Sequence, residues 1–555
     1  MTEAEVRREA GIQREAGDQR EAGVRPEAEV QREAGVQRDA EVQRRAGGQP
    51  EAGVWRKSEP TGGPASRPAG GPASGPAGGP DIGEAARAAL AAAWAALGGP
   101  PGHADRVRWL GVPGPLAAAR LPVAAIAAGT VAAATLAAAD LAAARGTPAA
   151  ARLDVDLART ATAFTSERHL RAEGRGFAGF AALSRFWPAA DGWVRTHANY
   201  PHHRERLLWA LGVTGEDEVP NRIAALDAST VEDRVTAENG LAVAVRTAQA
   251  WAAHPHGRAV AGQPLLRLRR VVEEHGGALP PMPAGVLLPA AGVRVLDLTR
   301  VIAGPVGTRT LALLGADVLR VDPPGLPELP GQYLDTGFGK RSTVLDLTDP
   351  RDRATFEDLL SAAHVVVTGY RPGALDRFGL SPAALLDRRP ALVVATISAW
   401  GTEGPWAGRR GFDSLVQAAT GIATAEGAPY DAAKGGLPGA LPAQALDHGT
   451  GYLLAAAVLR ALALRAVTGG GWLAELSLAR AAHWLLTTPP AAVPTEAAGD
   501  EPNRWCTRTG PYRHALPPVT LPGGPETWAE PPHAWGSDAP AWRARSAQAG
   551  ERGAR

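Results

Sequence analysis

The chain has 555 residues and a formal net charge of +1, with Ala, Gly, Pro and Arg dominant and lysine confined to Lys57, Lys340 and Lys434. So even a balance implies no electrostatic partner such as a nucleic acid or an anionic membrane, while roughly 150 residues per domain allows two to four domains. The single cysteine, Cys506, excludes an internal disulfide framework and fits the reducing cytoplasm.

From Val6 to Gly53 a six-residue unit recurs, from VRREAG to GQPEAG. One aliphatic residue in six makes no continuous stripe at helical period, so the repeat is expected to stay solvated and disordered. Residues 62–80, GGPASRPAGGPASGPAGGP, read as a linker, and 1–83 form a low-complexity N-terminus without the apolar core of a signal peptide. In the next stretch, 84–290, the run LPVAAIAAGTVAAATLAAADLAAA (121–144) has the length of a membrane span. Alanine is only weakly apolar and Asp140 interrupts the run, so a buried helix of a globular protein is expected. His197, His202 and His203 lie close enough to suggest zinc, but neither a cysteine nor H-E-x-x-H spacing accompanies them, and no metal is expected.

Residues 291–490 are more legible. VRVLDLT (293–299) reads as a buried strand, RVIAGPVG as a loop, TRTLALLG as a helix and ADVLRVD (316–322) as the next strand. RSTVLDL (341–347), HVVVTGY (364–370) and ALVVATIS (391–398) are further short β-branched runs, with an amphipathic helix in DPRDRATFEDLLSAA. Strands alternating with helices predict an α/β fold with a parallel, Rossmann-like sheet and ligands at the carboxyl ends of its strands. The first loop carries Ala303, Gly304 and Pro305 but neither GxGxxG nor GxxxxGK[ST], which disfavours a dinucleotide or a P-loop nucleotide. Asp447 and His448 then open a long apolar helix, QALDHGTGYLLAAAVLRALALRA, where a carboxylate is either an N-cap or a nucleophile.

The segments GVRVLDLTRVIAGPVGTRTLALLGADVLRVDPPG, GKRSTVLDL, VVVTGYRPGALDRFGL, ISAWGTEGPW, RRGFDSLVQAATGIA and LDHGTGYLLAAAVLRAL, in that order, resemble the amino-terminal half of family III CoA-transferases. This CaiB/BaiF family includes formyl-CoA and carnitine CoA-transferases and alpha-methylacyl-CoA racemases. The resemblance implies a CoA-transferase that moves CoA from an acyl-CoA to a small carboxylic acid, with coenzyme A as its only cofactor. Asp447 would be the nucleophile, working through an aspartyl anhydride and an aspartyl-CoA thioester. Helix-start amides and the macrodipole are expected to keep it ionised, with amides after Gly449 available to an oxyanion.

By the same resemblance Val301, Ile302 and Ala303 would contact the adenine and ribose of CoA, while Lys340, Arg341, Tyr370 and Arg377 would bind its nucleotide and phosphates. Pro323 stands where some members carry a basic residue. A racemase needs a second acid/base group, typically histidine in G-H-D; here the triplet is Gly411, Phe412, Asp413, and phenylalanine moves no proton. His448 is expected to be a solvated or capping residue. A racemase or isomerase, or a non-catalytic CoA-binding pseudoenzyme, are the alternatives.

The stretch 84–290 resembles a degenerate first copy of the family. Alanine, near Ala124–Ala125, replaces the aspartate, and FWPAADGWVRTHANYPHHRERLLWALG (186–212) resembles the smaller α+β domain. Residues 491–555 are too few to supply that domain and read as a short tail. The expectation is a fused chain in which the first copy donates the small domain and 291–490 the CoA-binding sheet. Family members form interlocked dimers, so a homodimer is implied, although a fused chain would satisfy part of the interlock internally.

Overall fold

The computed structural model describes residues 81–273, 279, 281–428, 436–491 and 504–544. The hexapeptide repeat and its linker, expected to be disordered, lie outside the described residues.

The first half opens on the Ile82–Ala96 helix, followed by β1 (Val107–Leu110), which pairs in parallel with β2 (Leu153–Asp156). The Val123–Ala144 helix joins these two strands. Alanine on nearly every face lets neighbours approach without a gap, and the helix is buried all round, as a helix without a polar face must be. It and the Ala445–Thr468 helix are long and apolar enough to cross a membrane by composition, but each is largely covered by protein, and they pack against one another.

After β3 (Arg171–Ala172), strands β4 (Phe186–Pro188), β5 (Trp193–Thr196) and β6 (Ala242–Ala244) form a small antiparallel sheet. The Pro201–Leu211 and Ala228–Ala237 helices cover it around a separate core that includes Trp187, Val194, Leu207, Leu211, Val231 and Val235.

The central sheet holds β7 (Arg267–Val272), β8 (Arg294–Leu298), β9 (Asp317–Asp322), β10 (Arg341–Val344), β11 (Val365–Thr368), β12 (Val393–Ser398) and β13 (Gly471–Ser477). Its order is β10-β9-β8-β11-β12-β13-β7, parallel throughout except that β7, from the first half, runs antiparallel to β13. Alternate residues face opposite layers: Val295, Val365 and Val367 point into the core shared with the two long apolar helices. Leu296, Leu298 and Val366 point to the layer holding Phe356 and Leu359 of the Pro350–Ala362 helix. The strand order reverses between β8 and β11, so a crevice forms beyond their carboxyl ends, where Val301 and Tyr370 follow them. Finally β14 (Cys506–Thr509) and β15 (Tyr512–Ala515) join β3 in a three-stranded sheet. Trp528 and Trp542 then anchor residues 516–544 through indole N–H bonds to the carbonyls of Arg309 and Leu359.

The two halves share one core and one sheet, so neither should fold alone. A fragment beginning near Ala290 loses β7 and the cover of the Ala445–Thr468 helix; it is expected to aggregate, and co-expression with 81–289 to restore a soluble complex by size-exclusion chromatography. A monodisperse 290–555 fragment with native circular dichroism would contradict this dependence.

Candidate active site

The turn after β8 is built around Asp297, whose carboxylate is fully buried beneath the start of the Ala303–Leu313 helix. One oxygen accepts bonds from the Thr299 hydroxyl and amide; the other accepts from the Thr308 hydroxyl at 2.6 Å and from Lys340 Nζ at 3.0 Å. Val301 sits at φ +70°, a left-handed conformation that costs a β-branched residue on the order of 1–3 kcal/mol. Its amide donates to Glu328 Oε2 at 2.9 Å.

The Ala445–Thr468 helix packs against this turn at very short range. A Cβ on Gly451 would stand 2.5 Å from the Ala303 carbonyl oxygen, and one on Gly307 would stand 2.6 Å from Leu454. Glycine at both positions therefore lets the turn bearing Asp447 close onto the 301–303 loop.

Asp447 is the third residue of its helix, not the cap; Gln444 precedes the helix without a side-chain bond. The first turn is held instead by Asp413, fully buried at the start of the Asp413–Thr420 helix, whose Oδ2 accepts the Asp447 amide at 2.9 Å. Gln417 donates to the other Asp413 oxygen. The helix start, expected to favour the ionised form, is opposed at Asp447. Burial, then the neighbouring Asp413 and Glu167 charges, push its carboxyl well above the usual range, and burial lifts Asp413 to about 6. Two carboxyls buried together cannot both ionise without a large penalty. Nor are amides after Gly449 open to an oxyanion: the His448 amide already bonds the Gln444 carbonyl at 3.0 Å, and those beyond it lie inside the helical ladder.

His448, expected at the surface, is fully buried. Its Nε2 lies 3.5 Å from Glu167 Oε2 and its ring 5.4 Å from that of Phe164, both from the first half. Burial pushes Glu167 up, but the His448 contact outweighs it and the carboxyl titrates below its ordinary range. Phe412, expected to stand where a racemase carries histidine, stacks on His197 at 3.9 Å and 6°. Burial and the Arg195 charge drive His197 down to about 3, so the imidazole is neutral.

The residues expected to grip CoA divide sharply. Ala303, following Val301 and Ile302, meets the helix bearing Asp447 at Gly451, and half-buried Tyr370 follows the end of β11. Lys340 does not reach solvent: its ammonium is buried between Asp297 and Thr308, and burial lowers it to about 8 despite the carboxylate. Arg341 is held by Asp317 at 2.8 Å and by the Ala541 carbonyl at 2.5 Å. Both cations, expected to bind CoA, thus have internal carboxylate partners. Arg377 is exposed and lies over the Phe378 ring at 4.6 Å. Arg371, Arg409 and Arg410 line a cleft with Trp400, Trp406 and the end of the small sheet at Val243; Arg409 also lies 3.5 Å from Glu232, and Arg410 donates to the Asn239 carbonyl at 3.4 Å. Among the described residues no group of His, Cys, Asp and Glu is arranged to hold a metal.

Sequence reasoning missed the first-half side chains that reach the site, Glu167 and Tyr200. One signal was present. Asp-Leu-Ala-Arg at 156–159 and Ser-Leu-Ala-Arg at 477–480 each end a strand and begin a helix, with Asp156 and Ser477 capping the amides of Arg159 and Arg480. Each arginine Nε then bonds a proline carbonyl, Pro517 or Pro264. The two repeats follow the Val123–Ala144 and Ala445–Thr468 helices in turn, and counted from the helix starts Ala125 stands at the third position that Asp447 holds.

Residues 290–520 match the family model described as CoA-transferase family III. The acetyl-coenzyme A transferase nodX of Hypoxylon pulicicidum is 30% identical over 328 residues, covering 55% of this chain and 54% of the relative. The formyl-CoA:oxalate CoA-transferase of Streptomyces coelicolor is 30% identical over 259 residues, covering 43% of this chain and 62% of the relative. The chain thus spans between half and two thirds of the length of these curated relatives. A crystal structure of Rv3272 from M. tuberculosis superposes over 37% of this chain and 56% of that one, at 35% identity and a TM-score of 0.33.

Proposed function

We propose, from the premise that residues 290–520 are a CoA-transferase family III segment, that the chain transfers CoA from an acyl-CoA to a small carboxylic acid with Asp447 as the acyl acceptor. The observation that carries this reading is a buried carboxyl set on the turn that closes onto the loop at the β8–β11 crevice. After losing its proton to solvent, the Asp447 carboxylate attacks the thioester carbonyl; the C–S bond breaks, leaving an anhydride and the CoA thiolate. The thiolate attacks the aspartyl carbonyl, the donor acid departs as its carboxylate, and CoA is stored as an aspartyl thioester. The acceptor carboxylate displaces the thiolate into a second anhydride. Attack by the thiolate on the acceptor's carbonyl releases the new acyl-CoA and regenerates the Asp447 carboxylate.

Burial that raises the resting carboxyl also strips its hydration, so the ionised form is a stronger nucleophile than a surface aspartate. Oxyanion donors in this reading are the first-turn amides of Ala303 and Gly304, which a helix leaves without intrahelical partners. CoA phosphates go to the Arg371, Arg409 and Arg410 cleft, where guanidinium groups form charge-assisted bonds. The cleft lies between the small sheet and the central one, giving the first half a part in binding. A matrix of acyl-CoA donors and acid acceptors, read by chromatography of the CoA esters, tests the reaction. Acid-dependent appearance of a new thioester is expected, and hydrolysis alone or no turnover with any pair would count against it.

A further inference from the structure

Glu328 joins two parts of the molecule that the proposed reaction does not itself require to touch. It precedes the Pro330–Gly337 helix and its side chain is 1% exposed. One oxygen accepts the Tyr200 hydroxyl and the Leu329 amide at 3.1 Å. The other accepts the Val301 amide at 2.9 Å and lies 3.3 Å from Arg320 and 3.5 Å from Arg300. Arg320 is fixed in turn by Asp322 at 2.7 and 2.9 Å, and Asp322 by the Trp535 indole. Arg300 lies over the Tyr200 ring at 5.2 Å and bonds the Pro327 carbonyl. Burial alone would raise Glu328, but Arg300 and Arg320 outweigh it and the carboxylate stays charged.

Val301 is the strained member of this set. A valine at φ +70° persists only where its surroundings over-determine it, and its amide has a charged, immobile acceptor. We infer that Glu328 is a positioning residue that holds the Val301 turn in its binding conformation, and that Tyr200, reaching in from the first half, locks Glu328 in place. The inference rests on the CoA reading of the 301–303 loop. Its consequence is that the first half shapes the nucleotide site through a hydrogen-bonded chain, Tyr200 to Glu328 to the Val301 amide, as well as through its own contacts with ligand.

The test compares Glu328→Gln and Tyr200→Phe with the parent in acyl-CoA KM, kcat and thermal midpoint. Gln keeps the shape but weakens a charge-assisted bond, so KM should rise about tenfold or more with kcat at saturation changed much less. Phe keeps the ring beneath Arg300 and removes only the hydroxyl; a smaller rise of the same kind is expected, and this variant decides the matter if the Gln variant fails to fold. Because both changes act on the same turn, the double variant should be less impaired than the product of the single effects. Unchanged KM in folded Tyr200→Phe, or equal losses in kcat and KM that track the thermal midpoint, would overturn the inference. Calorimetric titration of the parent with CoA separates the two levels: absence of binding overturns the functional reading and this inference with it.

Discussion

Asp447→Asn is expected to abolish CoA transfer and, above neutral pH, to melt higher than the parent. Loss of activity follows because an amide cannot form the anhydride; removal of a covalent nucleophile is felt on the scale of roughly 10³-fold or more. The stability gain follows from the buried pair. A carboxyl whose folded pKa lies above its unfolded one binds its proton more tightly when folded. It therefore imposes no penalty below about pH 4, a growing one as pH climbs, and the full one once pH has passed the folded value. Asp447 and Asp413 both lie on that side, Asp447 raised by burial and by the Asp413 and Glu167 charges, Asp413 by burial. Asparagine removes one of the two charges and leaves the Asp447 amide bonded to Asp413. Thermal scans should thus show the variant gaining a few degrees on the parent at pH 8, with the gap closing toward pH 4. A variant that keeps near-native transfer after controls for deamidation, or whose stability difference runs the other way with pH, would contradict the assignment.

Lys340→Met should unfold the protein rather than weaken a phosphate contact. Its ammonium and the Asp297 carboxylate are 2% and 0% exposed, and removing the cation strands a buried charge, which costs about 3–5 kcal/mol. Against a total stability on the order of 5–15 kcal/mol that is a large fraction. Chemical denaturation should show a midpoint drop or insoluble expression, partly recovered by Asp297→Asn in the same chain. Unaltered stability with a raised KM for acyl-CoA would instead return Lys340 to the ligand.

The contrast between these two residues shows what the sequence made legible. Short β-branched runs placed β8, β9, β11 and β12 within a residue or two and overran β10 by three, because consecutive Val and Ile in a parallel sheet are buried on both faces and leave an unbroken apolar signature. Asp447 was marked by its motif and its place at a helix start. Its charge state was not, since local logic sees only the helix dipole while Asp413 and Glu167 arrive from 34 and 280 residues away. The internal partners of Lys340 and Arg341 were hidden for the same reason: a cation after a loop looks solvated until a partner such as Asp297 or Asp317 is placed beneath it. Glu328 lacked any local pattern at all, its meaning coming from Tyr200 and Val301 on other elements. The edge strand β7 was invisible as part of the sheet because it pairs with β13 across nearly two hundred residues of chain.

The most direct test of the central claim is covalent trapping. The full chain is incubated with acyl-CoA, hydroxylamine is added, and the protein is digested for peptide mass spectrometry. The account predicts a hydroxamate on the peptide carrying Asp447 that depends on acyl-CoA, together with release of free CoA and inactivation. Modification of another carboxylate in a transfer-competent preparation, with Asp447 untouched, would contradict it.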